Sequence, residues 1–362
     1  MTTEQQEKLN ATLYEISDVA KKFSRKELAT VLVATTCYDE SITQQYREFK
    51  TKENMGNIGY CCINISINEG KKKKEQITVN RGMTKKTFEA KGLGYVSELA
   101  IQNINDFEKI VQWNIRNNIF VYRMSSDMFP CIGFYKLEDL PNFDIISNKL
   151  KSIGDYSKSK RMRLSFHPTH FCVPASENPV VVKNAIDELD KHAQIMDLMG
   201  LEQTHYYPIN IHVNTTQPTR EEAADRFCKQ FLNLSESCQK RLVVENDDGP
   251  NQYSTKILYD LIYKKIGIPI THDFHHHNYG PQDISQEEAI KLACSTWGDI
   301  KPMTHMSSPK TLEDTSGKQI AHADYIYEEI KTFGLDFDTE IEAKAKDLAV
   351  IRYRKQFQVL KG

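Results

Sequence analysis

The sequence lacks a GxxxxGKS/T phosphate loop and has no GxGxxG turn after its first predicted strand, so the usual nucleotide-binding folds have no support. It has no Gly-x-Ser-x-Gly elbow and no Cys/His signature, which argues against covalent catalysis. None of its eight cysteines forms a CxxC pair, and the adjacent Cys61 and Cys62 read as strand residues. No apolar run is long enough to span a bilayer, and the start MTTEQQEKLN does not read as a secretory signal. The expectation is an intracellular protein with reduced thiols and no membrane association; cytoplasmic, nuclear and organellar settings are not distinguished. The net charge is only −2, from 47 basic and 49 acidic residues, which excludes a basic nucleic-acid coat. Any contact with nucleic acid must then come from a local patch or from bound cations.

What is present is ordinary globular material: 362 residues, 40% hydrophobic and 27% charged, enough for a large α/β domain. Residues 1–54 form a helical N-terminal extension in this reading. Leu9, Leu13, Ile16 and Val19, then Leu28, Val31 and Leu32, recur at helical spacing; a partly mobile tail is the alternative. Residues 55–355 form the main domain and 356–362 a C-terminal tail. Within the main domain, strands are predicted at 58–64, 120–125, 163–167, 209–213, 242–245, 268–273, 301–306 and 337–342, with an extra strand near 76–80. Helical patterns fill most intervals. Leu99, Ile104, Phe107, Val111 and Ile115 mark one apolar face. Val182, Ile186, Leu189, Ala193 and Met196 mark another, ended by Gly200. Thr219 with Glu222, and Ser285 with Glu288, have capping spacing at two helix starts. Eight strands alternating with helices predict an α/β fold, a (β/α)8 TIM barrel; a doubly wound open sheet is the alternative. The lysines at 71–74 read as a solvated turn or as a DNA-backbone contact.

The chemistry lies at the strand ends. The third predicted strand ends in His167, the fourth in His212 and the fifth in Glu245. The sixth ends in Asp273, followed by His275, His276 and His277; His305 and Glu342 close the seventh and eighth, with His322 between them. A single histidine after a strand is ordinarily a hydrogen-bonded structural residue. Six successive strand ends bearing His, Asp or Glu are not, because a barrel gathers them on one face. Crowded carboxylates repel unless cations intervene. Mixed imidazole and carboxylate donors suit Zn²⁺, Mn²⁺ or Fe²⁺, and their number suits two or three ions. Such clusters favour hydrolysis of phosphate esters. Metal-assisted sugar isomerisation is the chemical competitor.

The strings RLVVENDDGPNQYS, IPITHDFHHHN, LSFHPTHF and IEAKAKDLAVIRYR, with NIGYCCIN and YRMSSDMFP, resemble the UV damage endonuclease family over about residues 55–355. That resemblance implies an endonuclease IV-like TIM barrel. It implies incision of damaged double-stranded DNA immediately 5′ to cyclobutane dimers, 6-4 photoproducts and some other lesions, leaving 3′-hydroxyl and 5′-phosphate ends. It also implies a cluster of two or three divalent ions, Mn²⁺ by family habit. The implied metal ligands are His167, His212, Glu245, Asp273, His276, His305, His322 and Glu342; Glu245, Glu342 and His305 are the implied catalytic centre. Tyr60, His170 and Phe171 would probe the lesion, with a purely structural role the alternative for Tyr60. Arg123, Lys344 and Lys346, on the same face, are candidate backbone contacts, with a solvated helix charge the favoured reading of Lys346, and a monomer is the expected state. His275 and His277 are weaker ligand candidates.

Three departures from the family pattern stand out. His170 and Phe171 replace a Gln-Tyr wedge. Met303 replaces a lysine that can be carboxylated to bridge metals. The histidine expected after the second strand is missing, with Asp127 nearby as a substitute. These departures keep open an abasic-site endonuclease on the same barrel and a lesion-binding protein with weakened catalysis.

Overall fold

The computed structural model describes residues 56–358; the helical reading of 1–54 lies outside the described residues. The described residues belong to the unit Met55–Gly362. Eight short strands form within the eight main predicted segments: β1 Ile58–Cys61, β2 Val121–Arg123, β3 Arg163–Ser165, β4 Ile209–Ile211, β5 Leu242–Glu245, β6 Ile270–Asp273, β7 Met303–Met306 and β8 Asp338–Ile341. Their order is β3-β2-β1-β8-β7-β6-β5-β4, and every ladder is parallel. The two ends of that order meet. Phe166 bridges Ile209 in parallel, the Phe166 N–H donates to the Pro208 carbonyl at 3.0 Å, and Asn210 N–H donates to the Phe166 carbonyl at 2.9 Å. The sheet is therefore a nearly closed barrel, and the open doubly wound alternative is excluded.

The extra strand expected near 76–80 does not form. Ile77 and Val79 are buried, but the backbone of Ile77 is paired by a side chain rather than by a neighbouring strand. Asn68 Nδ2 donates to the Ile77 carbonyl at 2.8 Å, and Asn68 Oδ1 accepts from the Ile77 N–H at 2.7 Å. One amide thus satisfies the donor and the acceptor that a ladder would have used.

The helices that bear on the argument are α1 Lys85–Arg116, α2 Phe143–Ser159, α3 Pro179–Leu198, α4 Arg220–Phe231, α5 Thr255–Leu258, α6 Phe274–Tyr279, α7 Gln286–Ser295 and α8 Asp347–Tyr353, with short turns of helix at Glu236–Gln239 and Lys264–Ile266 besides. Local sequence explains their bounds. Thr219 accepts from the Glu222 N–H at the start of α4, and Ser285 with Glu288 forms a full capping box on α7. Past α3, Gly200 takes φ +68°, and the Leu201 N–H reaches back to the Met196 carbonyl at 3.1 Å.

Strand alternation sorts side chains into two environments. One parity faces the helices: Tyr60 and Tyr122 join Phe107, Ile104 and Val96 in the main core. The other parity supplies Val121, Val243 and Met303 to a smaller apolar cluster that Trp297, from the turn after α7, completes. Two residues further along the same strands stand Arg123, Glu245 and His305. Towards the strand starts, the fully buried Arg163 pairs with Asp338 at 3.1 Å. The barrel interior is thus charged at both ends with an apolar layer between, and the mouth carries the chemistry.

Candidate metal centre

Six strands and the loops after them deliver the candidate ligands. Glu245 and Asp273 are the last residues of β5 and β6, and His305 lies on β7. His167, His212 and Glu342 follow β3, β4 and β8. Asp273 has a second role as the N-cap of α6. Its Oδ1 accepts from the His276 N–H at 2.6 Å, so the strand-to-helix turn itself places His276 at the mouth.

These side chains form three groups, each with one donor atom per residue lying within 4.8 Å of the others: His167, His212 and Glu245; Glu245, His305 and Glu342; Glu245, Asp273 and His276. Glu245 belongs to all three. Its Oε2 lies 3.1 Å from His167 Nε2 and 3.6 Å from His212 Nε2. Its Oε1 lies 3.1 Å from His305 Nδ1 and 3.3 Å from His276 Nδ1. The two oxygens of one carboxylate thus face two different sets of imidazoles.

The donor set fits divalent cations. Glu245 Oε1, Asp273 Oδ2 and His305 Nδ1 are buried without hydrogen-bond partners. Orphaned acceptors at such depth are costly unless a cation satisfies them. The mixture of nitrogen and oxygen donors suits Mn²⁺, Zn²⁺ or Fe²⁺ better than Ca²⁺.

The electrostatics agree. Burial by itself would raise the Glu245 carboxyl, but the imidazoles of His305 and His212, with a hydrogen bond from His167 and the nearby ring of His276, hold it well below the usual carboxylate range. Burial likewise opposes Glu342, and Arg123 and His305 outweigh it. Burial would lower His212, yet Glu245 and Asp247 push it up to about 9. His276 also rises against burial, through Asp273 and Glu245. Carboxylates and most imidazoles of the mouth thus favour one another's charged forms, while burial lowers His167; a divalent cation bound there would take the place of the imidazole protons.

The other expected residues fall as follows. His322 stands beside Glu342, with Nδ1 2.9 Å from the Glu342 carbonyl and 3.6 Å from Oε2, but it joins none of the three groups. His275 points its Nε2 at the Ile320 carbonyl, 3.1 Å away, and packs edge-on to His322; His277 lies against His272. Asp127 is in no group either, and its charge is felt at Glu188 instead. Arg123 does not face solvent as a DNA-backbone contact. It pairs with Glu342 at 2.5 Å inside the mouth. His170 and Phe171 sit on the loop after β3 with ring centroids 4.0 Å apart, and Phe171 is 75% exposed.

Tyr60 is corrected: it is 0% exposed and points to the helix layer, not to the mouth. Its hydroxyl donates to Asn114 Oδ1 at 2.6 Å and accepts from Asn64 Nδ2 at 2.7 Å, so it is fully engaged in the fold. Sequence reasoning missed four contributors. Asn210 Nδ2 donates to Glu245 Oε2, and Asp247 Oδ1 lies 3.1 Å from His212 Nδ1. Glu340 and Ser165 pair with each other beneath His305. Strand parity was the available signal for Asn210, Glu340 and Ser165, each two residues before a nominated ligand.

Fold and site together define a TIM-barrel enzyme with a metal-type centre on its strand ends. The family model described as UV-endonuclease UvdE matches residues 56–362, and the chain belongs to that family of endonucleases. A UV DNA damage endonuclease of Bacillus cereus (strain G9842) is 31% identical over 271 residues, spanning 72% of this chain and 82% of that protein. Its counterpart in Bacillus thuringiensis subsp. konkukian (strain 97-27) is 32% identical over 274 residues with the same coverage. Among solved structures, SacUVDE superposes with a TM-score of 0.71 at 27% identity, covering 84% of this chain and 98% of that one. Endonuclease IV from Thermus thermophilus shares the fold, with a TM-score of 0.50 at 12% identity over 83% of this chain and 99% of that one. No helix among the described residues is long and apolar enough to cross a membrane.

Proposed function

We propose that the protein is a divalent-cation-dependent DNA repair endonuclease. It cuts the phosphodiester immediately 5′ to cyclobutane dimers and 6-4 photoproducts in double-stranded DNA, leaving 3′-hydroxyl and 5′-phosphate ends. It acts as a monomer inside the cell, with two or three ions, Mn²⁺ in the first instance. The observation that carries the reading is Glu245, whose two oxygens face separate imidazole sets and suit a bridging carboxylate. When bound, the cations supply positive charge to the scissile phosphate and lower the pKa of water at the site.

The chain's own residues do the rest. His167 and His212 would hold one position, His305 with Glu342 a second, and Asp273 with His276 a third. Arg123 holds Glu342 in place from below the mouth. Phe171, backed by His170, fills the space vacated by a lesion. Lesions stack poorly, so unstacking them costs less than the few kcal/mol (~2–4) that normal steps require, which gives selectivity without base reading. A solvent-exposed aromatic in this position supports the reading.

The test compares UV-irradiated with untreated supercoiled plasmid, each with Mn²⁺ and with chelator. Nicking confined to irradiated plasmid and to Mn²⁺ is expected. Equal nicking of both plasmids, or none with any divalent metal, removes the proposal. Preference for abasic over dimer-containing oligonucleotides would instead make it an abasic-site endonuclease. Glu245→Gln is expected to lower nicking by at least about 10²-fold, as loss of one preorganised electrostatic group does.

A further inference from the structure

Glu340 is buried at 1% exposure and is the register partner of His305 across the β7–β8 ladder. Its Oε1 accepts a hydrogen bond from Ser165 Oγ. Its Oε2 lies 3.3 Å from His305 Nε2 and 3.8 Å from Arg123 Nη1. The other nitrogen of the same ring, Nδ1, lies 3.1 Å from Glu245 Oε1 and 3.3 Å from Glu342 Oε1. His305 is therefore held between carboxylates on both edges. A neutral imidazole has one N–H and one lone pair, and which nitrogen carries the proton is set by the partner of the other.

We infer that Glu340 is a positioning residue for His305: its Oε2, buried with no hydrogen-bond partner and 3.3 Å from Nε2, is placed to accept the Nε2 proton and so keep the Nδ1 lone pair on the side of Glu245 and Glu342, ready for a divalent cation. The assignment rests on the metal-centre reading above. It also accounts for Met303. That side chain is two residues before His305 on the same strand face and belongs to the apolar cluster with Val121, Val243 and Trp297. A thioether cannot be carboxylated, so it brings no negative charge to this side of the centre. Glu340, across the β7–β8 ladder from His305 rather than from Met303, supplies a fixed carboxylate to this side of the centre. Carboxylates that accept from the distal N–H of a ligating histidine raise its basicity and fix its ring.

The test measures metal binding without DNA. Mn²⁺ is titrated calorimetrically into the chelator-stripped full-length protein and into its Glu340→Gln and Glu340→Asp variants. Melting temperatures of the stripped forms are taken alongside, and ¹⁵N NMR of labelled histidine reports the His305 tautomer. The Gln variant is expected to bind Mn²⁺ about 10–100-fold more weakly at unchanged stoichiometry. The Asp variant is expected to recover part of that loss, and His305 should lose its single Nε2–H tautomer in the Gln variant. Ser165→Ala, which releases Oε1 without removing charge, should weaken binding in the same direction by a smaller factor; it gives the answer if Glu340→Gln does not fold. Unchanged Mn²⁺ affinity with a lowered melting temperature makes Glu340 a packing residue and overturns the assignment. Loss of a whole equivalent of Mn²⁺ makes it a ligand and overturns the assignment equally. If the wild-type chain binds no Mn²⁺, the metal-centre reading fails and this one fails with it; if wild type binds and all variants match it, only the Glu340 assignment fails.

Discussion

Phe171 is a large apolar side chain left 75% exposed, its ring lying at a tilt against His170. Nothing in the fold requires it, so Phe171→Ala should leave the melting temperature unchanged. If the ring wedges into damaged DNA, the same variant should lose about 10-fold in cleavage of irradiated plasmid, the value of one aromatic–base stack. A variant that cleaves like wild type removes the wedge. Glu188 on α3 offers a pH test away from the mouth. Burial and the nearby charge of Asp127 push its carboxyl up to about 7. A carboxyl raised in the fold favours folding when protonated. That contribution is complete below the ordinary glutamate value and is lost as the pH rises through 7. Glu188→Gln should therefore melt at least about 2 °C above wild type at pH 8, with the difference vanishing near pH 4. A constant offset at both pH values would show that packing, not titration, sets the effect. At this scale the sequence disclosed the ligand types but not their partners. Asp247 and Arg123 act through spatial neighbours that no spacing reveals, whereas Glu340 and Asn210, each two residues before a nominated ligand, were visible in principle through strand parity. Tyr60 fails by that same parity, since the residue beside an inward Cys61 points out.

Among the elements, the segment 76–80 shows how a side chain can stand in for a strand. Asn68 holds both backbone groups of Ile77. Asn68→Ala strips both at once and should cost about 1–3 kcal/mol in urea unfolding, the penalty for leaving part-buried backbone groups unpaired. A loss below 0.5 kcal/mol (about the noise of a surface change) would show that water replaces the amide. The eight strands were readable because most carry a short apolar run, often with β-branched residues, between turn residues, and helical periodicity fills most of the intervals. The failed ninth had the same local pattern. What it lacked was a neighbouring edge: the barrel leaves none for it to pair with, and that fact exists only in three dimensions.

For the whole molecule, the proposed centre would link metal loading to folding. A ligand that binds only the folded chain stabilises it by about 2.7 kcal/mol at 100 times its dissociation constant. Saturating Mn²⁺ should raise the melting temperature of stripped protein by several degrees, and chelator should reverse it. A melting temperature indifferent to Mn²⁺, Zn²⁺ and Fe²⁺ would count against a folded-state centre. The location of the ligands sharpens this. The wall between β3 and β4 is held by the Phe166–Ile209 bridge, a thinner joint than the multi-residue ladders elsewhere. His167 and His212 stand directly past that joint, with ring centroids 5.3 Å apart. A cation gripped by both is a clasp on the cylinder's zipper. Arming the enzyme and fastening its seam become one event, and in stripped protein the amides of Phe166 and Asn210 should be the first of the barrel to exchange with deuterium.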